Sequence, residues 1–199
     1  MEERITFPSG AYRLEGYFYP GGENGAVITH PHPLYGGDMN NIVVETLASA
    51  YQRKGYSTLR FNFRGTGRSE GRHEEGIGER EDVLAAVRLL EGKGIRRVDL
   101  AGYSFGTWVN AHVDCGSAGI HRMIMVSPPV NFIDFVGVGP IPCLGLVIIG
   151  DDDEFGSTSR VRQMAALWNP EARFVAIPDT DHFYSGALRD LETVLEENL

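Results

Sequence analysis

Residues 102–106 read Gly-Tyr-Ser-Phe-Gly, and the segments on either side of them decide the fold. The apolar run 97–101, Arg-Val-Asp-Leu-Ala, comes before the pentapeptide and predicts a short buried strand. The run 107–113 follows it and predicts a helix. Glycines flank Ser104 because a side chain at either position would collide with the neighbouring strand or helix. The stretch therefore predicts a strand, a very tight turn with an exposed serine, and a helix.

Apolar strands and amphipathic helices alternate from residue 26 onward. The predicted strands span 4–7, 11–19, 26–29, 57–63, 97–101, 123–126, 144–149 and 174–177, and the predicted helices span 40–54, 79–90, 107–113, 159–168 and 188–195. The later strands are continuous apolar runs, which is typical of a parallel sheet covered on both faces. We predict a single domain over residues 1–199 with a three-layer α/β fold. Its twisted sheet has about eight mainly parallel strands, helices on both faces and an antiparallel N-terminal hairpin.

Composition limits the classes of partner. The 199 residues carry a net charge of −9 and no run of Lys or Arg, which disfavours nucleic acid and anionic membranes as partners. No apolar run approaches the ~18 residues of a membrane span, and no apolar signal core follows the charged N-terminus, so we expect a cytoplasmic protein. Cys115 and Cys143 lack metal-ligand spacing, and we interpret both as reduced core residues.

The residues that follow the predicted strands carry the chemistry, because ligands of an open parallel sheet bind beyond the carboxyl ends of its strands. Ser104 follows the 97–101 strand, and its hydroxyl needs a base to become a nucleophile. His182 follows the last strand and is the candidate base. Residues 151–154, Asp-Asp-Asp-Glu, follow the preceding strand and offer a carboxylate to hold the imidazole. These patterns do not choose among the four acids.

Residues 30–37, His-Pro-His-Pro-Leu-Tyr-Gly-Gly, follow the 26–29 strand. An acyl-transfer site needs two backbone N–H groups for the oxyanion, one after the nucleophile and one from this loop. Phe105 supplies the first. Proline has no N–H, and we therefore predict Leu34 as the second donor. His30 and His32 offer metal-ligand chemistry at a spacing of two, but hydrogen bonds that pin the proline-rich loop are the favoured interpretation.

Two other patterns imitate functional motifs. Residues 65–71 resemble a dinucleotide-binding loop, but the third glycine is one position too late and no helix opens there. We interpret this stretch as a structural turn, with Arg64 and Arg68 available to pair with nearby acids. Asp134 is a second candidate for the triad acid, although a cap or loop role is favoured for it.

Five motifs together are similar to the α/β-hydrolase superfamily over essentially the whole chain. They are residues 30–37, 60–69, 102–106, 150–153 and 181–183. The pattern looks closest to the small, lidless bacterial hydrolases related to dienelactone hydrolase. Those enzymes carry a cysteine nucleophile, whereas this chain has Ser104. The resemblance implies that the triad acid is Asp153, three residues after the glycine that ends its strand, and that the short segment 128–143 leaves a minimal lid.

The expected function is hydrolysis of a carboxylic ester or thioester of a small-molecule acyl substrate. Ser104, Asp153 and His182 are the predicted catalytic residues, and the N–H groups of Leu34 and Phe105 form the predicted oxyanion hole. No metal or organic cofactor is expected. The alternatives are a peptidase or amidase on the same scaffold and a non-catalytic binding module. The sequence does not determine whether the chain acts as a monomer or as a homodimer.

Overall fold

The computed structural model describes residues 1–199 and contains eight strands and five α-helices. The strands are β1 (Glu3–Ser9), β2 (Tyr12–Tyr19), β3 (Asn24–Thr29), β4 (Ser57–Phe61), β5 (Arg97–Tyr103), β6 (Ile120–Val126), β7 (Leu144–Gly150) and β8 (Arg173–Ile177). The helices are α1 (Ile42–Arg53), α2 (Glu79–Gly92), α3 (Phe105–Ala111), α4 (Thr158–Trp168) and α5 (Leu188–Asn198), and a short 3-10 helix spans Pro33–Tyr35.

All eight strands form one sheet in the order β1-β2-β4-β3-β5-β6-β7-β8. β2 pairs antiparallel with both β1 and β4, and every other neighbouring pair is parallel. The predicted α/β fold with an N-terminal antiparallel hairpin is therefore confirmed. Because β3, β5, β7 and β8 run in one direction, the loops that follow them meet at the same edge of the sheet.

Each face of the sheet buries its own apolar core. The larger core holds 31 buried residues and lies under α2, α3 and α4, while the smaller holds 18 and lies under α1 and α5. Val27 of β3 enters the larger core and its neighbours Ala26 and Ile28 enter the smaller, as the alternating side chains of a strand require. The two cores clamp the central strands and fix where their carboxyl ends lie.

The connection from β6 to β7 is short. It runs from residue 127 to 143 and contains no helix, so no lid covers the carboxyl edge of the sheet. No helix of the chain is both long and apolar enough to cross a membrane.

The loop after β4 is held by a buried ionic cluster. The Arg64 guanidinium donates to both carboxylate oxygens of Asp82 at 2.9–3.1 Å, and Ser9 Oγ donates to Asp82 Oδ1 at 2.7 Å. Arg64 also contacts Glu74 at 2.7 Å and Glu81 at 3.2 Å. This cluster ties residues 64–82 to β1 and α2, which agrees with the structural turn predicted for residues 65–71.

The prediction of two reduced cysteines is wrong for this structure, which joins Cys115 and Cys143 in a disulfide. The two residues lie 28 positions apart in sequence, but their Cα atoms are 6.1 Å apart. Two thiols are too few for a disulfide scaffold, but a single bridge requires only that two chain segments come together. The spacing of the cysteines in the sequence does not show that they do. Structural disulfides are rare in reducing compartments, so the bridge weighs against the cytoplasmic location, which stays a prediction.

Candidate active site

The turn between β5 and α3 holds Ser104 in a strained conformation, with φ 52° and ψ −120°. A Cβ at Gly102 would lie 2.8 Å from Thr29 Oγ1, and a Cβ at Gly106 would lie 2.5 Å from the same atom. Real Cβ atoms do not approach so closely, so both positions need glycine. Close contact with the end of β3 therefore accounts for both glycines of the pentapeptide.

Ser104, His182 and Asp153 form one chain of hydrogen bonds. The Ser104 hydroxyl lies 2.9 Å from Nε2 of His182, and Nδ1 of His182 lies 2.8 Å and 2.9 Å from the two carboxylate oxygens of Asp153. All three residues are buried. Because the carboxylate only accepts, Nδ1 carries the proton, and Nε2 is free to accept the proton of the serine. This arrangement can activate a hydroxyl for attack.

Asp153 is the only one of the four acids after β7 that reaches the histidine. Its Oδ1 also accepts hydrogen bonds from the N–H groups of Phe155 at 2.9 Å and Gly156 at 3.1 Å. These bonds orient the carboxylate. The other three acids, Asp151, Asp152 and Glu154, are exposed. Asp134, the second candidate, caps its own loop by accepting from the Val136 N–H at 2.7 Å.

Packing and one backbone hydrogen bond position His182. The hydroxyl of buried Tyr103 donates to the carbonyl oxygen of His182 at 3.0 Å. Burial raises the pKa of Tyr103, so its hydroxyl keeps the proton that this bond needs. The imidazole lies with its centroid 4.6 Å from that of Phe155 and 5.5 Å from that of Phe183. The ring is therefore held between fixed neighbours and turned toward Ser104.

The structure gives the two predicted oxyanion donors different surroundings. Phe105 is the first residue of α3, so its N–H has no partner within the helix. The N–H of Leu34, however, donates to His32 Nδ1 at 3.2 Å, and its side chain faces a neighbouring chamber. The N–H of His32 makes no hydrogen bond, and His32 lines the chamber of Ser104. Eliminating Pro31 and Pro33 as donors leaves the N–H of His32 as a candidate beside that of Leu34. The sequence pattern was therefore compatible with His32 as the donor.

His30 has a structural role. It is fully buried, its Nδ1–H donates to the carbonyl oxygen of Pro31 at 2.7 Å, and its Nε2 accepts from the N–H of Phe63 at 3.1 Å. Burial lowers the pKa of His30 to about 4, so the ring is neutral near pH 7. Both ring nitrogens serve the loop, as predicted. No group of three His, Cys, Asp or Glu side chains in the chain is arranged to hold a metal ion.

An open cleft of about 320 Å³ surrounds Ser104. Its walls are largely aromatic, with Tyr35 and Phe132 on one side of the serine and Phe155 and Phe183 beside His182. Tyr35, Phe132 and Phe183 are each more than half exposed at its mouth. Phe132 and Phe155 were not predicted from the sequence, because nothing in their spacing distinguishes them from core aromatics.

Comparison with known proteins gives consistent results. The chain is 35% identical to an α/β serine hydrolase homologue from Coxiella burnetii, with a TM-score of 0.91 over 99% of this chain and 97% of the other. A Xanthomonas campestris α/β serine hydrolase without a lid is 29% identical, with a TM-score of 0.90 over 99% of this chain and 93% of the other. An uncharacterised Rickettsia prowazekii protein is 33% identical over 184 residues, which are 87% of this chain and 77% of that protein. No family model matches the chain.

The sheet order, the strained serine turn and the loops at the carboxyl edge define an α/β-hydrolase. The chain belongs to this superfamily.

Burial of His30 predicts a pH dependence of stability. Because its pKa is about 4 in the folded chain and 6.5 for a histidine exposed to water, the unfolded chain binds a proton that the folded chain lacks as pH falls from about 6.5 to about 4. The free energy of unfolding should therefore drop by about 1.4 kcal/mol per pH unit from this group. His30→Gln keeps one donor and one acceptor but does not titrate. Urea unfolding between pH 4 and 8 should give a shallower acid slope for this variant.

Above pH 7.5 the two curves should run parallel, because His30 is then neutral in both states. Identical slopes between pH 4 and 6.5 would contradict the assignment.

Proposed function

We propose that this chain cleaves carboxylic esters, or the related thioesters, through an acyl-enzyme on Ser104. The observation that carries the proposal is the hydrogen-bonded series from Ser104 through His182 to Asp153 at a strained turn. A buried carboxylate, an imidazole with its proton on Nδ1 and a hydroxyl that lines an open cleft are the parts that nucleophilic acyl transfer requires.

In the first half of the reaction, His182 Nε2 takes the proton of Ser104 as Oγ attacks the acyl carbon. The carbonyl oxygen gains a negative charge, which two backbone N–H groups stabilise. We assign these groups to Phe105 and His32. Asp153 holds the imidazole in the required tautomer and stabilises the imidazolium. When the intermediate collapses, His182 returns the proton to the leaving oxygen or sulfur.

In the second half, water replaces the leaving group. His182 Nε2 accepts a proton from this water, whose oxygen attacks the acyl carbon of the ester on Ser104. The second tetrahedral intermediate uses the same two N–H groups. Its collapse releases the carboxylic acid and returns the proton to Ser104. Each proton moves between Ser104, His182, water and the substrate.

The nature of the cleft favours apolar substrates. Tyr35, Phe132 and Phe183 present apolar surface that water would otherwise cover, so an apolar acyl or leaving group gains free energy by binding there. Because residues 127–143 form no helical lid, small esters can enter the cleft without a conformational closing step.

Removing the nucleophile should abolish hydrolysis without unfolding the chain. Ser104→Ala deletes one hydroxyl, and we expect kcat/KM for p-nitrophenyl butyrate to fall by at least about 10⁴-fold. Ser159→Ala, an exposed serine of α4, is the matched control and should keep wild-type kinetics. Circular dichroism should be unchanged in both variants. Normal hydrolysis by a folded Ser104→Ala protein would refute the proposal.

Backbone substitution tests the oxyanion hole directly. An α-hydroxy acid incorporated at position 105 replaces one N–H with an ester oxygen, and we expect kcat/KM to fall by roughly 10²–10³-fold. The same replacement at position 34 should have a much smaller effect, because the Leu34 N–H bonds to the His32 ring. Equal falls in kcat/KM at positions 105 and 34 would show that Leu34, and not His32, supplies the second N–H of the oxyanion hole.

A further inference from the structure

A second chamber of about 330 Å³ adjoins the chamber of Ser104. The two share five lining residues, so they form one continuous cleft. The shared residues are His32, Tyr35, Phe105, Phe132 and Ile133. Neither Ser104 nor His182 lines the second chamber. Nothing in the proposed chemistry uses its remaining side chains, which include His73, Glu75 and Trp108.

The position of His182 determines which part of a substrate each chamber receives. His182 must protonate the leaving atom, so the leaving group lies on the side of His182, beside Phe155 and Phe183. The acyl group then extends the other way from the acyl carbon, past Phe105. The second chamber lies away from the leaving group, because His182, Phe155 and Phe183 line only the chamber of Ser104.

One wall of the second chamber is aromatic and closely packed. The rings of Phe105 and Trp108 are stacked, with centroids 6.1 Å apart and an interplanar angle of 15°. The indole Nε1 donates to the carbonyl oxygen of Asp134 at 2.8 Å. Gly76, with φ 83°, lies against the indole so closely that a Cβ there would be 2.1 Å from the ring. Such a wall suits an apolar, ring-like body.

His73 adds a polar group to this wall. Its Nδ1 lies 2.8 Å from Oε1 of Glu79 without the geometry of a hydrogen bond, and Glu79 is fully buried. That carboxylate oxygen also accepts from the N–H of Glu74 at 2.9 Å. The His73 ring lies between His32 and Phe105, with centroid distances of 5.0 Å and 5.6 Å. Its Nε2 has no hydrogen-bond partner in the protein.

A hydroxyl is the substrate group that fits His73 best. Two acceptors would repel each other at 2.8 Å, so Nδ1 carries a proton. A substrate hydroxyl can donate to Nε2 when the ring is neutral and can accept from it when the ring is charged. A carboxylate is disfavoured, because Glu75 lines the same chamber and Glu79 lies behind the ring.

We propose that the second chamber binds the acyl group, and that His73 is a specificity-determining residue that selects acyl groups with a hydroxyl on an apolar, ring-like body. This inference rests on the proposed function. Sites that hydrogen-bond a substrate hydroxyl discriminate strongly against the analogue that lacks it, because the polar group of the site is then left unpaired.

The test compares three p-nitrophenyl esters that share one leaving group. They are the 3-phenylpropanoate and its 3-hydroxyphenyl and 4-hydroxyphenyl analogues. For the wild-type chain we expect kcat/KM to be about tenfold higher for at least one hydroxylated ester, as one added hydrogen bond implies. His73→Phe should abolish this preference by lowering kcat/KM for that ester and raising it for the plain ester.

Two further variants make the result decisive. His121→Phe removes another histidine paired with a carboxylate, Asp99, at the amino end of β6, and it should leave the preference intact. His73→Phe with Glu79→Leu removes both partners, so no buried carboxylate is left unpaired if the single variant folds poorly. We expect this double variant also to lose the preference.

The possible outcomes separate this inference from the proposed function. Hydrolysis that depends on Ser104, with no preference for either hydroxylated ester or with a preference unchanged by the His73 variants, would overturn the inference alone. No hydrolysis of any ester that depends on Ser104 would overturn the proposed function and the inference together.

Discussion

The close approach of β3 to the turn after β5 is the constraint on which the site depends. Thr29 Oγ1 occupies the space that a Cβ of Gly102 or Gly106 would need, so the turn can pack there only with glycine at both positions. This packing holds Ser104 in a conformation that costs on the order of 1–3 kcal/mol for a residue with a side chain. Burial of the central strands between two apolar cores supplies the stabilisation that keeps the turn strained.

The same edge of the sheet carries other strained positions. Ser127 has φ 49° directly after β6, and Asp179 and Tyr184 have φ 50° and 58° in the loop that carries His182. The buried hydroxyl of Tyr184 lies 3.0 Å from Ser127 Oγ, which links this loop to the neighbouring strand. Burial raises the pKa of Tyr184, so the hydroxyl stays protonated for this bond. The histidine is thus placed by a loop with few alternative conformations.

The sequence predicts the elements of this site well and their finer contacts less well. Strand ends can be read from apolar runs, and in a parallel sheet strand ends meet, which brings Ser104 and His182 together on sequence grounds alone. The spacing from Gly150 to Asp153 identifies the triad acid only through the family resemblance, because residue type alone does not distinguish four adjacent acids. The structure separates them by burial, since only Asp153 turns inward.

Contacts between loops account for the residues that the sequence did not predict. Leu34 was chosen by eliminating prolines, but the ring of His32 captures its N–H, a bond that depends on how the loop folds. Likewise, the sequence predicts no site role for His73, because no strand ends beside it. The ionic cluster around Arg64 holds residues 64–82 beside the cleft, where His73 contacts Phe105. The disulfide was missed for a similar reason, since packing of the larger core brings its two cysteines together.

The central claim is that His182 activates Ser104 as a nucleophile. The most direct measurement is labelling of the folded chain with a fluorophosphonate probe, followed by mass spectrometry of its peptides. We predict a single adduct on Ser104, which is lost after heat unfolding and in His182→Ala. No adduct on a folded sample, or an adduct on Ser104 that forms equally fast without His182, would contradict this claim.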